Sequence, residues 1–394
     1  RLVGSEMCIR DRLKCFKGDW NIMINEKRVL ESFLDYIQID SETYEEGNFA
    51  KRLEKDLMEA GLEVEFDNSG EKIGSNTGNL IAKLKGNVEG ETILFACHMD
   101  TVKPGKGIKP IIKDGVIYSD GTTILGGDDK GGIAAIVEAL RVIKENNIDH
   151  ANIEVVFTIA EETGLLGAKN LDYSKISAKK AFLFDTSGDP GFITTIGPAH
   201  DTLKVTIKGK PAHAGVSPED GISAISIASD AIANMKLLRV DKDTTANIGK
   251  ISGGVANNVV CPEVIIDAEA RSTVTEKLDA QTKHMVETFK ASAEKFGGEV
   301  NIEVNRMYGA FVIDDNEDIV LHAKRAFKNL GINGETKASG GGSDTNIFNC
   351  NGIKAVNLSS GERKPHTLEE HMKIEDLGTI SKVVLELVKE SINK

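Results

Sequence analysis

A chain of 394 residues is long for one small core and points to two domains. Its 61 acidic residues outnumber 48 Lys and Arg, and the formal net charge of −13 argues against nucleic acid or an anionic membrane as partner. No apolar run approaches the ~20 residues that span a bilayer, and five scattered cysteines without a CxxC pair suit a reducing, cytoplasmic compartment.

Residues 1–22 read differently from the rest. They hold Cys8, Cys15 and the single Trp20, and Arg1–Arg12 resembles translated sequencing-adapter read-through. Met23 is the expected native start, with a leader peptide as the alternative. Leu30, Phe33, Leu34 and Ile37 then recur at helical spacing, and a second helix from about Asn48 buries Leu53 and Leu57 and stops at Gly61. Short apolar runs follow at Asn79–Leu84, Thr92–Cys97, Ile153–Ile159 and Ala181–Phe184, with a helical stretch at Gly131–Ile143. Each run is apolar on both faces, as in a sheet covered on both sides. The alternation predicts an α/β domain with a mostly parallel sheet.

Beyond Ile196 the style changes. A strand at Thr202–Ile207, a helix at Ile222–Leu237, strands at Ala246–Ile251 and Glu263–Ala270, a helix at Glu276–Phe296 and a strand at Glu299–Arg306 give the β-α-β-β-α-β order of a ferredoxin-like module. The α/β style resumes with a helix at Glu317–Leu330, a strand at Ala355–Leu358 and a closing helix from Ile374. The expected domains are therefore 23–196 with 313–394, interrupted by 197–312.

The chemistry-bearing residues sit where strands end. Thr92–Cys97 runs into His98-Met99-Asp100, Ile153–Ile159 into Glu161-Glu162, and Ala181–Phe184 into Asp185, while a loop with His366 follows Ala355–Leu358. Ligands of open α/β sheets bind outside the carboxyl ends of strands, so these distant residues should converge. Gly126-Gly127-Asp128-Asp129-Lys130 adds an acidic pair at a helix start. With 61 acidic residues in 394, about nine adjacent acidic pairs arise by chance. Glu161-Glu162 alone therefore signals nothing. Acidic and imidazole groups ending several apolar strands is the informative pattern, because buried carboxylates need pairing or a metal.

In this order the motifs His98-Met99-Asp100, Gly126-Gly127-Asp128-Asp129-Lys130, Glu161-Glu162-Thr163-Gly164, Asp185 and His366 resemble the metal-site motifs of M20 metallopeptidases, over nearly the whole chain after residue 25. The tripeptide-aminopeptidase branch is the most similar. The resemblance implies two zinc ions, with cobalt or manganese as substitutes. His98, Asp128 and Asp185 would hold one, and Asp128, Glu162 and His366 the other. It makes Asp100 the residue that orients His98 and Glu161 the general base. Lys210-Pro211-Ala212-His213-Ala214-Gly215 resembles the histidine motif of the family's dimerisation domain, which makes His213 an oxyanion donor across a homodimer; a plain turn histidine is the alternative. Asn258, Arg271, Gly341 and Gly342 match substrate-binding positions, Arg271 offering the fork suited to a peptide carboxylate.

Other readings fit less well. The Gly340–Gly342 run lacks the Gly-Lys-Ser/Thr of a phosphate-binding loop, and Ser343 lacks the GxSxG of a serine hydrolase. His371 competes with His366, but the His-Thr-x-x-Glu context favours His366. M42-type aminopeptidases use a similar metal set, yet insert their extra domain before the Asp-Asp pair. Carboxypeptidase G2-like enzymes and N-acyl-amino-acid hydrolases share the catalytic set, and a non-catalytic metal-binding dimer is the remote alternative.

Overall fold

A computed structural model describes residues 24–392; the segment read as non-native, residues 1–22, lies outside them. Helix α1 (Glu26–Ile37) starts where Asn25 accepts from the Arg28 amide, and it buries Val29, Phe33, Tyr36 and Ile37. Its buried stripe is thus turned slightly from the one expected, leaving Leu30 and Leu34 half-buried. Tyr36 is favoured over Leu34 because its hydroxyl meets Asp56 at 2.5 Å in the core. Helix α2 (Gly47–Glu59) buries Leu53 and Leu57 and ends before Gly61, which takes φ +95°.

The chain then lays down β1 (Glu63–Phe66), β2 (Leu80–Leu84) and β3 (Ile93–His98). A hairpin of β4 (Ile111–Lys113) and β5 (Val116–Tyr118) leads to helix α3 (Gly127–Glu145), which is followed by β6 (Ile153–Thr158) and β7 (Lys180–Thr186). A ferredoxin-like run follows: β8 (Ala199–Lys208), α4 (Ala224–Asn234), β9 (Thr244–Gly253), β10 (Glu263–Ser272), α5 (Thr275–Phe296) and β11 (Glu299–Tyr308). The return comprises α6 (Asp318–Asn329), α7 (Asp344–Cys350), β12 (Lys354–Ser359), the short β13 (Glu362–Arg363) and β14 (His371–Lys373), and α8 (Ile374–Glu390).

Two compact units emerge. The first comprises residues 24–193, Asn316–Thr336 and residues 353–392; the second comprises Thr194–Asp315 and Lys337–Gly352. Lys337–Gly352, read from sequence as part of the first domain, thus clusters with the second.

In the first unit β1-β2-β6-β3-β7-β12 lie side by side. The pairs β6/β3, β3/β7 and β7/β12 are parallel, whereas β1/β2 and β2/β6 are antiparallel. Every residue of β3 and β6 is buried, as parallel strands covered on both faces must be. Helix α3 packs against β3 and β7, and α1 and α8 pack on α3 and on each other. In the second unit the four long strands order β9-β10-β8-β11, all antiparallel. Strand β10 alternates exposed and buried side chains along most of its length, and its buried face meets Leu278, Met285 and Phe289 of α5 and Ile227 and Ala231 of α4. No helix among the described residues is long and apolar enough to cross a membrane.

Candidate metal centre

His98 is the last residue of β3 and pairs in register with Thr158 at the end of β6. On the other side the β3/β7 register runs Ile93–Lys180 to Ala96–Leu183; carried two residues further, it sets His98 abreast of Asp185. Glu161 and Glu162 follow β6 by three and four residues, and Asp128 stands at the start of α3. One sheet edge therefore collects candidate ligands from three strands and a helix start.

One ligand atom each of His98, Asp128 and Glu162 lies within 4.8 Å of the others. His98 Nε2 is 3.0 Å from Asp128 Oδ1. His366 Nε2 is 3.3 Å from Asp128 Oδ2 and 2.9 Å from Glu162 Oε1. Asp128 thus turns one oxygen to each imidazole. His366 sits in the loop between β13 and β14 with φ +61°, and that left-handed backbone belongs to the residue that carries its ring to Asp128 and Glu162. His371 does something else: its ring stacks on Tyr118 with centroids 5.3 Å apart.

The surrounding acceptors are as telling as the ligands. His98 Nδ1 donates to the Asp100 carbonyl at 2.9 Å, which fixes the tautomer that leaves Nε2 facing Asp128. The Asp100 carboxylate, fully buried, accepts from Thr43 Oγ1 at 2.8 Å and from the amides of Glu161 and Glu162 at 2.9 and 3.2 Å. The preceding amides are held too: Ile159 donates to Asn79 Oδ1 and Ala160 to Glu46 Oε1, each at 3.0 Å. Four successive amides thus end on side chains, around an Ala160 with φ +48°. Asp185 is clamped by Asn357, which accepts from its amide at 2.7 Å and donates to its carbonyl at 2.8 Å. Asn79, Glu46, Asn357 and Glu370, which accepts from the loop before α3, are the members that sequence reasoning missed. Only the Glu of His-Thr-x-x-Glu carried any signal.

Charge decides what this arrangement wants. Burial, then repulsion from Asp128, pushes the Asp185 carboxyl well above the usual carboxylate range. Burial likewise raises Glu162, and raises Glu362 to about 8. Burial works against a protonated His98, but its hydrogen bonds to Asp100 and Asp128 hold its pKa well above the ordinary value. Bonds to Asp128 and Glu162 raise His366 to about 10. Asp128 is pulled down by both imidazoles despite its burial. Glu162 Oε1 is buried, and its near neighbour is His366 Nε2, 2.9 Å away as an ion pair. A buried carboxylate oxygen this close to a ring nitrogen fits two donors to one cation as well as it fits a shared proton. The mixed imidazole and carboxylate set suits a transition-metal ion such as zinc better than an all-oxygen calcium site.

The remaining predicted residues lie in the second unit. His213 is exposed, forms a bridge with Val259 and accepts from the Gly215 amide at 3.2 Å. Asn258 is brought beside it, its carbonyl accepting from the Ala214 amide at 2.9 Å. Arg271 forms a separate group. Its Nε and Nη2 bond Glu269 at 3.2 and 3.0 Å, and Nη1 lies 4.0 Å from where a Cβ on Gly341 would stand. Gly342 donates to Tyr308 Oη at 3.2 Å, and a Cβ there would come within 2.2 Å of that ring; only glycine permits the approach.

A family model described as peptidase family M20/M25/M40 matches residues 94–390. The Bacillus subtilis protein YqjE is 46% identical over 94% of this chain and 100% of its own length. The aminopeptidase PepT of Bacillus cereus is 46% identical with a TM-score of 0.89, covering 94% of this chain and 99% of that one. A tripeptidase of Staphylococcus aureus is 44% identical with a TM-score of 0.91, covering 93% and 98%. With the family model matching well over half its length, this chain belongs to peptidase family M20/M25/M40 and is a peptidase.

Proposed function

We propose that the chain is a two-metal aminopeptidase that removes the N-terminal residue of short peptides, tripeptides foremost. The observation that carries this is the meeting of His98, Asp128, Glu162 and His366 at one sheet edge in a chain 44–46% identical, along almost its full length, to an aminopeptidase PepT and a tripeptidase. Zinc is the proposed metal, with cobalt or manganese as substitutes. His98, Asp185 and Asp128 would hold one ion, and Asp128, Glu162 and His366 the second. When bound, the ions supply Lewis acidity at the scissile carbonyl and acidify the attacking water.

The chain's own groups do the rest. Glu161, its amide held by Asp100, takes the water's proton and returns it to the leaving amine. Asp100 keeps His98 in one tautomer through its carbonyl while its carboxylate fixes the loop of the base. Arg271, braced by Glu269 on two nitrogens, keeps part of its fork for the peptide carboxylate beside Gly341 and Gly342. Asn258 is assigned to the peptide backbone, and His213 to the developing oxyanion in the other subunit of a homodimer. The three described cysteines, Cys97, Cys261 and Cys350, are all unpaired, which supports a cytoplasmic setting.

Chelated protein reloaded with zinc should cleave a free tripeptide and spare its N-acetylated form. Equal cleavage of the blocked peptide would remove the aminopeptidase reading. Glu161→Gln should still take up two ions while its turnover falls by about 10²–10⁴-fold; near-normal turnover would remove Glu161 as the base.

A further inference from the structure

Glu370 stands four residues after His366, yet its bonds reach back across most of the chain. Oε2 accepts from the amides of Leu125 at 2.8 Å and Gly126 at 2.9 Å, and Oε1 from the amide of Asp128 at 3.1 Å. The side chain belongs to a residue only 1% exposed. Asp128 (φ −82°, ψ 102°) and Asp129 (φ −119°, ψ 26°) leave helical geometry, so the amides leading into α3 need acceptors from elsewhere. Gly127 makes the room: a Cβ there would sit 3.2 Å from Glu370 Oε1 and 3.4 Å from Glu362 Cβ.

A carboxylate is a costly choice for this place if folding is all it serves. Asp128, Glu162, Asp185 and Glu362 already crowd the region with like charge, and a buried charge without a cation opposes folding. What a carboxylate offers over a neutral amide is two oxygens that both accept, and here both are used. One of the three donors is the amide of the residue whose two side-chain oxygens face His98 and His366.

We propose that Glu370 is a positioning residue of the metal centre: it locks Leu125–Asp128 so that Asp128 presents one oxygen to each ion. The inference rests on the two-metal reading given above. Gln at 370 would keep one accepting oxygen and turn an NH2 group on backbone donors, so at least one bond to the loop is lost and a donor faces a donor.

The test titrates the chelated full chain with cobalt(II), followed by calorimetry and by the d–d absorption of the bound ion. Glu370→Gln, and independently Gly127→Ala, should weaken at least one ion tenfold or more and alter the spectrum at saturation. Glu369→Gln, at an exposed neighbour paired with Lys364, should bind as the wild type does. Wild-type affinity, stoichiometry and spectrum in folded Glu370→Gln would overturn the inference and leave the two-metal reading standing. Failure of the wild type itself to take up cobalt would overturn both. Loss of the circular dichroism signal in both loop variants would overturn the inference too, by making Glu370 a residue of the fold.

Discussion

At the scale of single residues the metal centre is a set of acids and imidazoles that, without metal, share protons. His366 keeps its proton up to a pH of about 10, against an ordinary 6.5, because Asp128 and Glu162 both face it. A proton retained more tightly in the folded chain stabilises it. That contribution is full below about pH 6.5 and is lost as the pH rises through about 10. In chelated protein, urea midpoints of wild type and His366→Gln should therefore differ most near pH 6 and converge towards pH 10. A constant gap across that range would contradict this account. Zinc should in turn displace the proton, so calorimetric heats at pH 7 should change with the buffer's ionisation enthalpy.

At the scale of elements, a strand end becomes the ordered loop of Glu161 and Glu162 because foreign side chains take up its amides. Asn79 is fully buried; it accepts from Ile159 and donates to Asp67 Oδ2 and the Gly167 carbonyl, both at 2.9 Å. Asn79→Ala should lower stability by about 1–3 kcal/mol and depress turnover more than zinc content, since it loosens the loop of Glu161 and leaves His98 and Asp128 alone. Urea melts, zinc content and kcat on one tripeptide would check this. The residues that meet at this sheet edge were legible in the sequence because an acid or histidine ending an apolar run is conspicuous. Their supports were not. Asn79 lies 80 positions from Ile159, Glu46 lies 114 from Ala160 and Glu370 lies 245 from Leu125. A polar residue with a partner that distant looks like any other surface residue.

At the scale of the molecule, all five proposed ligands and the base belong to the first unit, and His213, Asn258, Arg271, Gly341 and Gly342 to the second. Removing the buried Phe289 ring from the second core should cost about 3–5 kcal/mol there. Phe289→Ala should nevertheless bind zinc with wild-type affinity; a large loss of binding would contradict the placement of the whole centre in the first unit. The architecture was largely readable, since apolar runs for covered strands and the β-α-β-β-α-β order survive in the bare sequence. The second crossing was not: Lys337–Gly352 joins the second unit by packing, through Asn346 donating to the carbonyls of Pro198 and Gly309 at 3.0 and 2.8 Å. Nothing in its composition announces that.

The gap between His98 and His366 has a meaning for the growing polypeptide. A ribosome adds about 5–20 residues per second, so roughly 13–54 s pass between making the first ligand and the last. Once Asp185 has been added, the nascent chain carries His98, Asp128, Glu162 and Asp185 with neither His366 nor the carboxylate of Glu370 to complete them. On the two-metal proposal, the second site therefore stays incomplete until translation has passed residue 370.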